Sequence, residues 1–533
     1  MDLIWGRYSP LAYSAIGSVV LIPLVINFHF LSPILVITII FTAIGIFDFF
    51  QKSSLLRANF PIIGHMRYLL ESFRPELRQY FWENDNDELP YSRNQRSMVY
   101  QRSKSLLAAR PLGSIENMYE ENFTWLNHSL SPIHPDTDEF YIKVGEGDKA
   151  HQMSLLNISG TSFGSLSPSA IHSLNAGAAL GKFSHNTGEG SLSKYHQAGG
   201  GDIVWQISTG YFGCRKSDGH LDRALFKKKS QLEQVKMIEI KLSQGAKPGH
   251  GGMLLGNKVT AEIALARGIK KGEDCISPAS HPEFSTPDEL LTFALELKEL
   301  SGGKPIGIKL CIGHPWEFIA IVKAMVNRQQ YIDFITVDGA EGGTGAAPVE
   351  FTDHLGSPLK DALVFVDNAL IGAGLRGRIK IAASGKIVSA YDIVQHCALG
   401  ADWINMARPF MFSLGCIQAR DCASGKCPTG IATMDPRRYR ALDIQKKAVQ
   451  VRNFHHNTLV AVSELIGASG LKHPQFLTRR HIVRRLSGSD IRLVDQIYPK
   501  VEPGALLRDE SVADQRLDVY WKLVDGGSFN FRN

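Results

Sequence analysis

Hydrophobic and polar positions alternate along this chain in two different regimes. From residue 8 to residue 47 forty positions pass without one Asp, Glu, Lys or Arg. A bilayer core takes about 20 helical residues, so the stretch predicts two membrane spans. Its apolar runs, 11–26 and 34–47, are divided by Asn27, His29 and Ser32-Pro33, which supply a polar break, an N-cap and a first-turn proline. The turn of the hairpin is therefore expected near residues 27–33. Arg7 precedes the first span and Lys52 and Arg57 follow the second, so both flanks and the rest of the chain are expected on the cytoplasmic face of the inner membrane. A secretory signal has a shorter apolar region and a small-residue cleavage site, neither of which is visible. The alternative is a buried helical hairpin in a soluble core.

Residues 53–150 carry a weaker pattern. Positions 62–81 read as an amphipathic helix, with Ile63, Met66, Leu69, Leu70 and Phe73 against Arg67, Glu71 and Arg74. Such a helix suits a membrane surface or the cover of a neighbouring domain. Beyond residue 150 short apolar runs alternate with Gly/Ser/Thr loops and helical stretches. Strands are predicted at 155–159, 182–185, 203–208, 237–242, 306–310, 334–337, 379–382 and 403–406, with helices such as 287–300 and 387–399 between them. Eight strands with crossover helices predict an α/β chain built on a (β/α)8 TIM-type barrel. A doubly wound open sheet is the alternative, but no G-x-G-x-x-G with a ribose-binding acid accompanies it. The expected organisation is a transmembrane helical hairpin (1–52), a linker and helical cover (53–150), the barrel (151–435) and a helical C-terminal extension (436–533).

Barrel chemistry collects at the C-terminal strand ends, and there the chain places its unusual loops: 159–165, 186–190, 208–213, 244–252, 338–345 and 383–386. Glycine-rich backbone approaches a phosphate closely, and the last two loops fall near the usual barrel phosphate site. Any one of them alone is more often a plain turn. Lys309 alternates with Ile308 and Leu310, which points it to the barrel interior. It would face a cofactor edge that gains negative charge on reduction, or else snorkel or pair with Glu239 on an adjacent strand. Lys247 lies between glycines, either exposed or holding a substrate carboxylate. His185, His250 and His314 lack a second ligand at helical spacing and read as structural.

The net charge of +6 comes without a basic stripe, so nucleic acid is not an expected partner. Seven cysteines fit a reducing compartment, and three of them, Cys416, Cys422 and Cys427, crowd into one polar loop followed by Pro428. The spacing is too wide for paired C-x2-C zinc arms and resembles iron–sulfur ligation. Three thiolates suit a three-iron cluster, or a four-iron cluster with an outside ligand. The plain reading is three small buried residues in a compact loop.

The strings S-F-G-S-L-S, H-N-T-G-E-G, Q-G-A-K-P-G-H-G-G, D-G-A-E-G-G-T-G-A-A-P, L-R-G-R-I-K-I and the cysteine loop resemble the synthase domain of glutamate synthase, and more closely the shorter FMN-binding glutamate synthase family, over about residues 75–470. The resemblance implies a barrel holding FMN, a [3Fe-4S] cluster on Cys416, Cys422 and Cys427, and reduction of 2-iminoglutarate, formed from 2-oxoglutarate and ammonia, to L-glutamate. By position it implies FMN contacts at Ser162, Phe163, Gly164, Gln206, Lys309, Gly343, Thr344, Gly345, Ser384, Gly385 and Gly400. It also implies a substrate contact at Lys247 and a glutamate near the ammonia entry at Glu189. An electron donor, a ferredoxin or a redox partner in the membrane, and a homo-oligomer are expected with it. Met253 stands where the family has a substrate-touching glutamine, and a thioether cannot hydrogen-bond a carboxylate as an amide does. That departure opens a second substrate class, N-substituted amino acids, beside a non-catalytic electron-transfer or scaffold role. The chain begins with Met1-Asp2 and the hairpin in place of a catalytic N-terminal cysteine and amidotransferase domain, so ammonia is expected from elsewhere.

Overall fold

The charge-free stretch is helical, as its length requires. In the computed structural model, which describes residues 6–106 and 109–531, it forms α1 (Ser9–Asn27) and α2 (Ser32–Phe50). A single turn, His29–Leu31, joins them, and a proline in the first turn of each presets the helical φ. Both helices are long and apolar enough to cross a membrane. Asp48, fully buried near the end of α2, accepts hydrogen bonds from the Ile62 backbone N–H at 3.1 Å and from His65 Nε2 at 2.8 Å, which ties the following chain back to the hairpin. That chain continues as α3 (Gly64–Leu77), whose Ile63, Met66, Leu69, Leu70 and Phe73 are all about half exposed.

The chain divides into two compact units, Met1–Leu89 and Pro90–Asn533. Residues 53–150 therefore do not form one piece: 53–89 go with the hairpin and 90–150 with the second unit.

The second unit is built on eight parallel strands, β1 (Leu156–Ile158), β2 (His185–Asn186), β3 (Ile203–Ile207), β4 (Val235–Lys241), β5 (Ile306–Leu310), β6 (Phe334–Asp338), β7 (Lys380–Ser384) and β8 (Trp403–Met406). Each pairs with the next in sequence and β8 pairs with β1, closing the barrel. The eight expected strands are the eight observed, with one shift. Lys182 stands in the left-handed cap of the preceding helix, so β2 begins only at His185.

Helices α4 (Arg93–Ser103), α5 (Pro168–Gly181), α6 (Pro287–Leu300), α7 (Pro315–Arg328), α8 (Leu359–Gly372) and α9 (Ala390–Ala398) surround the strands. The long helix of the C-terminal extension, α10 (Ile444–Ala468), follows one short turn of helix, Pro436–Tyr439, and packs on α4 and α5. It is not all helical: Ile482–Arg485 pairs with Thr124–Leu126 and Ile491–Leu493 in a small antiparallel sheet.

The barrel interior is layered. At the N-terminal end it is apolar, with Met153, Val204, Met237, Phe334 and Trp403 around one small void. Above them stands Glu239, which alternates with Ile238 and Ile240 and so points inward. Its carboxylate accepts hydrogen bonds from Asn186 Nδ2 at 2.7 Å, Gln206 Nε2 at 2.6 Å and Thr336 Oγ1 at 2.6 Å, so donors from β2, β3 and β6 converge on β4. Leaving a buried donor unmade costs about 1–3 kcal/mol. Glu239→Ala strips three donors of their acceptor at once, and is expected to lower stability by about 3 kcal/mol or more, measured as a loss of thermal midpoint in circular dichroism.

Candidate active site

Above Glu239 the barrel opens into a cleft of about 1220 Å³, part of it open to solvent, to which all eight C-terminal strand ends contribute. Ser159 to Ser162 follow β1, Gly188 and Glu189 follow β2, and Gln206 reaches in from β3. Lys241 and Lys309 come from β4 and β5, residues 342–345 and 384–387 from the loops after β6 and β7, and Asn405 to Pro409 from β8. Gly343 is a close approach: a Cβ there would lie 2.6 Å from the Arg408 guanidinium carbon. Gly385 has φ +140°, a conformation L side chains rarely adopt, beside the Gly339 backbone.

The cleft floor is a row of charges. Lys309 Nζ lies 3.5 Å from Asp338 Oδ2, and Asp338 in turn accepts the Gly245 N–H at 2.8 Å. Lys309 thus faces the interior as its alternation predicts, but its carboxylate neighbour is Asp338 and not Glu239. Lys241 Nζ donates to Glu189 Oε2 at 2.9 Å and to Gln244 Oε1 at 2.5 Å. Burial pushes the Glu189 carboxyl up, yet the charge and hydrogen bond of Lys241, with Lys247 and Arg267, outweigh it and hold the group at about 2. Glu189 is therefore an anion throughout the physiological range, a partner for cations rather than a proton donor.

Of the residues expected at the site, Ser162, Gln206, Lys309, Gly343, Thr344, Gly345, Ser384, Gly385, Glu189 and Cys422 line this cleft. Phe163 and Gly164 stand behind it. Phe163 is buried in a satellite core with Phe212, Leu254 and Ile263, and its carbonyl accepts Arg267 Nη2 at 3.0 Å, which braces the Ser162 loop from outside. Lys247 is buried and donates to its own loop, to Gly251 O at 3.3 Å, with desolvation lowering its pKa. Gly400 does not join the cleft. It precedes β8, at the opposite end of the barrel, where its carbonyl accepts Arg376 Nη2 at 2.9 Å and its Cα abuts Asp367. Met253 is 43% exposed, on a two-residue ladder with Ile276.

Cys416, Cys422 and Cys427 are close enough that each of the first two thiols is raised by its neighbours as well as by burial, Cys416 to about 12. Burial also opposes ionisation at Cys427, but backbone N–H groups of Ala432, Thr429 and Ile431 and the Thr429 hydroxyl lower it on balance. Among the described residues no group of three His, Cys, Asp or Glu converges as a single metal ion needs. The backbone and hydroxyl donors aimed at Cys427 are of the kind that accompany thiolate ligation. The loop also forms part of the cleft wall, since Cys422 lines it and a Cβ on Gly345 would be 3.7 Å from Cys422 Cβ.

Several cleft residues were not singled out by sequence reasoning. Lys241 carried a signal, the same alternation with isoleucine that marks Lys309. Tyr91 and Arg408 carried none. The Tyr91 backbone is clamped by the Gln418 amide at 3.1 and 2.9 Å, and the Arg408 guanidinium lies 4.8 Å from its ring centre, all of which is long-range packing.

A closed parallel barrel with a polar cleft at the carboxyl ends of all its strands defines the protein as a (β/α)8-barrel enzyme. Residues 114–472 match the conserved region in glutamate synthase. The chain belongs to the glutamate synthase family and is a glutamate synthase-like oxidoreductase. It is 36% identical to the glutamate synthase large subunit-like protein YerD of Bacillus subtilis, over 84% of this chain and 93% of that protein. It is 38% identical to the archaeal glutamate synthase (NADPH) of Methanocaldococcus jannaschii over 54% of this chain, and spans about half, 53%, of that enzyme. Among solved structures it is similar to a flavocytochrome b2 variant with sulfite bound, at 13% identity and a TM-score of 0.43, over 85% of this chain and 91% of that one.

Glu189→Gln removes the anion that Lys241 and Lys247 face. A carboxyl held below its ordinary 4.5 contributes stability that is fully present above that value and lost as pH falls through about 2. Thermal melts at neutral pH are expected to show the variant less stable than wild type, by about 1–3 kcal/mol, with the difference shrinking between pH 4.5 and 2. A difference that grew on acidification would contradict the assignment.

Proposed function

We propose that this protein is a membrane-anchored flavin and iron–sulfur enzyme that reduces 2-iminoglutarate, formed from 2-oxoglutarate and ammonia, to L-glutamate. The observation that carries this reading is one cleft lined at once by the glycine loop 342–345, the interior cations Lys241 and Lys309, and Cys422 of the three-cysteine loop. FMN, when bound, supplies the hydride that an imine carbon accepts.

The chain's own residues do the rest. The loops after β6 and β7 offer backbone N–H groups to a monophosphate, with no dinucleotide fingerprint in the chain. Lys309 would set its cation against a flavin edge that gains negative charge on reduction. Glu239 accepts the Gln206 amide N–H at 2.6 Å and so fixes which way its carbonyl end would be presented to a bound flavin. Lys241 is a cleft cation that would meet a carboxylate, Lys247 would have to leave Gly251 O to join it, and Glu189, which both cations face, suits an ammonium entering the cleft. Cys416, Cys422 and Cys427 would hold a [3Fe-4S] cluster, whose chemistry would be to pass electrons between a ferredoxin or a redox partner in the membrane and the flavin.

The two N-terminal apolar helices support permanent residence in the inner membrane, with basic flanks in the cytoplasm. Because Met253 does not line the cleft, its departure from the family pattern is a weak reason to replace 2-oxoglutarate by another acid.

Three measurements test this reading on detergent-extracted, full-length protein. Chromatography of the released flavin is expected to give one FMN per chain, and FAD or no flavin would overturn it. Reduced low-potential donor with 2-oxoglutarate and ammonium is expected to yield glutamate, whereas reoxidation of the flavin by a partner protein alone would favour an electron-transfer subunit. Serine in place of Cys416, Cys422 or Cys427, one at a time, is expected to abolish iron binding yet leave much of the FMN, while the same loss from Cys214 or Cys275 would refute the assignment.

A further inference from the structure

A second cavity, about 750 Å³ against about 1220 Å³ for the cleft, opens where four distant stretches of the second unit meet. They are residues 122–124, the segment 341–361 that runs from the loop after β6 into the first turn of α8, the end of α9, and residues 482–498. Its walls carry two cations, Lys360 and Arg484, and two carboxylates, Glu341 and Asp361. Among the described residues none of these four forms an ion pair with another. Three of the four are positioned instead by a neutral neighbour. Glu341 accepts the Leu359 backbone N–H at 3.2 and 3.0 Å, Asp361 accepts the Tyr498 hydroxyl at 3.1 Å, and Arg484 Nη2 donates to Asn122 Oδ1 at 2.5 Å. Arg484 Nε is buried and has no hydrogen-bond partner in the protein. Such a nitrogen is unfavourable until an acceptor reaches it. Lys360 is exposed, yet desolvation draws its pKa below the ordinary lysine value, with the Arg484 charge adding to the fall and Asp392, Glu341 and Asp361 opposing it.

The geometry points to a second ligand site, for a free α-amino acid, whose carboxylate meets Lys360 and Arg484 and whose ammonium meets Glu341 and Asp361. A simple anion would satisfy the two cations and leave two carboxylates facing it, and a simple cation would do the reverse. A zwitterion complements both pairs. Glu341 connects this site to the cleft. Its carboxylate holds the first backbone N–H of α8, while its carbonyl accepts Arg408 Nη2 at 2.8 Å, and Arg408 packs on Gly343 and Tyr91 in the cleft wall. An amino acid bound here therefore steadies the loop 338–345, making the second site regulatory. The binding site stands without the redox reading; only its effect on turnover rests on that reading.

Calorimetric titration of the holoprotein with L-glutamate and with L-glutamine tests it, using 2-oxoglutarate and inorganic phosphate as anions that lack the ammonium. One amino-acid site per chain is expected to persist in Lys247→Ala, whose change lies near the cleft, and to weaken at least tenfold in Lys360→Gln and in Asp361→Asn. Arg484→Lys, which keeps the charge, is expected to weaken it less than Arg484→Gln. 2-Oxoglutarate and phosphate are expected to bind this site at least tenfold more weakly than the amino acids. Amino-acid binding indifferent to Lys360 and Asp361 would overturn the proposal, and so would binding of 2-oxoglutarate or phosphate that matches the amino acids and is itself lost in Lys360→Gln, which would mark a plain anion site. A protein that made no glutamate yet gave the expected titrations would lose the proposed reaction and keep this site.

Discussion

Closing eight parallel strands into a ring leaves an interior that only the strands' own side chains can fill, and here its middle is filled by a carboxylate. Glu239 draws in Asn186, Gln206 and Thr336 from three other strands, so β2, β3, β4 and β6 share one set of hydrogen bonds at the barrel axis. Below it the core is apolar, and above it the strands end in Lys241, Lys309, Asp338 and Ser384. The position of every polar group on the cleft floor is therefore referred to this buried anion, because a strand that slipped by one residue would turn its polar set outward.

The two ends of the barrel do different work. At the amino ends, Arg376 bridges Asp367 at 2.8 Å and Asp402 at 3.0 Å, and the buried Arg479 pairs with Asp367 at 2.8 Å. Those ion pairs knit helices, strand ends and the C-terminal extension together. At the carboxyl ends the charges face an open cleft and the connecting loops are rich in glycine. The split follows from chain direction: in a parallel barrel all strands finish at one end, so loops placed after them converge there.

The cysteine loop is joined to the cleft by packing rather than by sequence proximity. Gln418, between Cys416 and Cys422, clamps the Tyr91 backbone, and the Tyr100 hydroxyl donates to the Cys416 carbonyl at 2.5 Å. Residues more than three hundred positions away thus set where the thiols stand, which makes the segment beginning at Pro90 part of the site's framework rather than a linker.

By itself the sequence determined the eight strands, the apolar hairpin and the inward aim of Lys309, because the period of a strand and the length of a span are local properties of the chain. Matching strings picked out glycine-loop residues most of which line one cleft for the same reason: a loop that follows a barrel strand has only one end of the barrel to occupy. Gly400 misled because it precedes its strand and so lies at the other end. What pairs with what was decided by the tertiary structure alone. Lys309 faces Asp338 and not Glu239, Lys247 folds back on its own loop, and Arg408 and Tyr91 stand over the cleft, since ring closure and long-range packing fix those distances. The second cavity was equally illegible, because its four charges come from Glu341, Lys360, Asp361 and Arg484, and no pattern within one stretch of chain records that they share a wall.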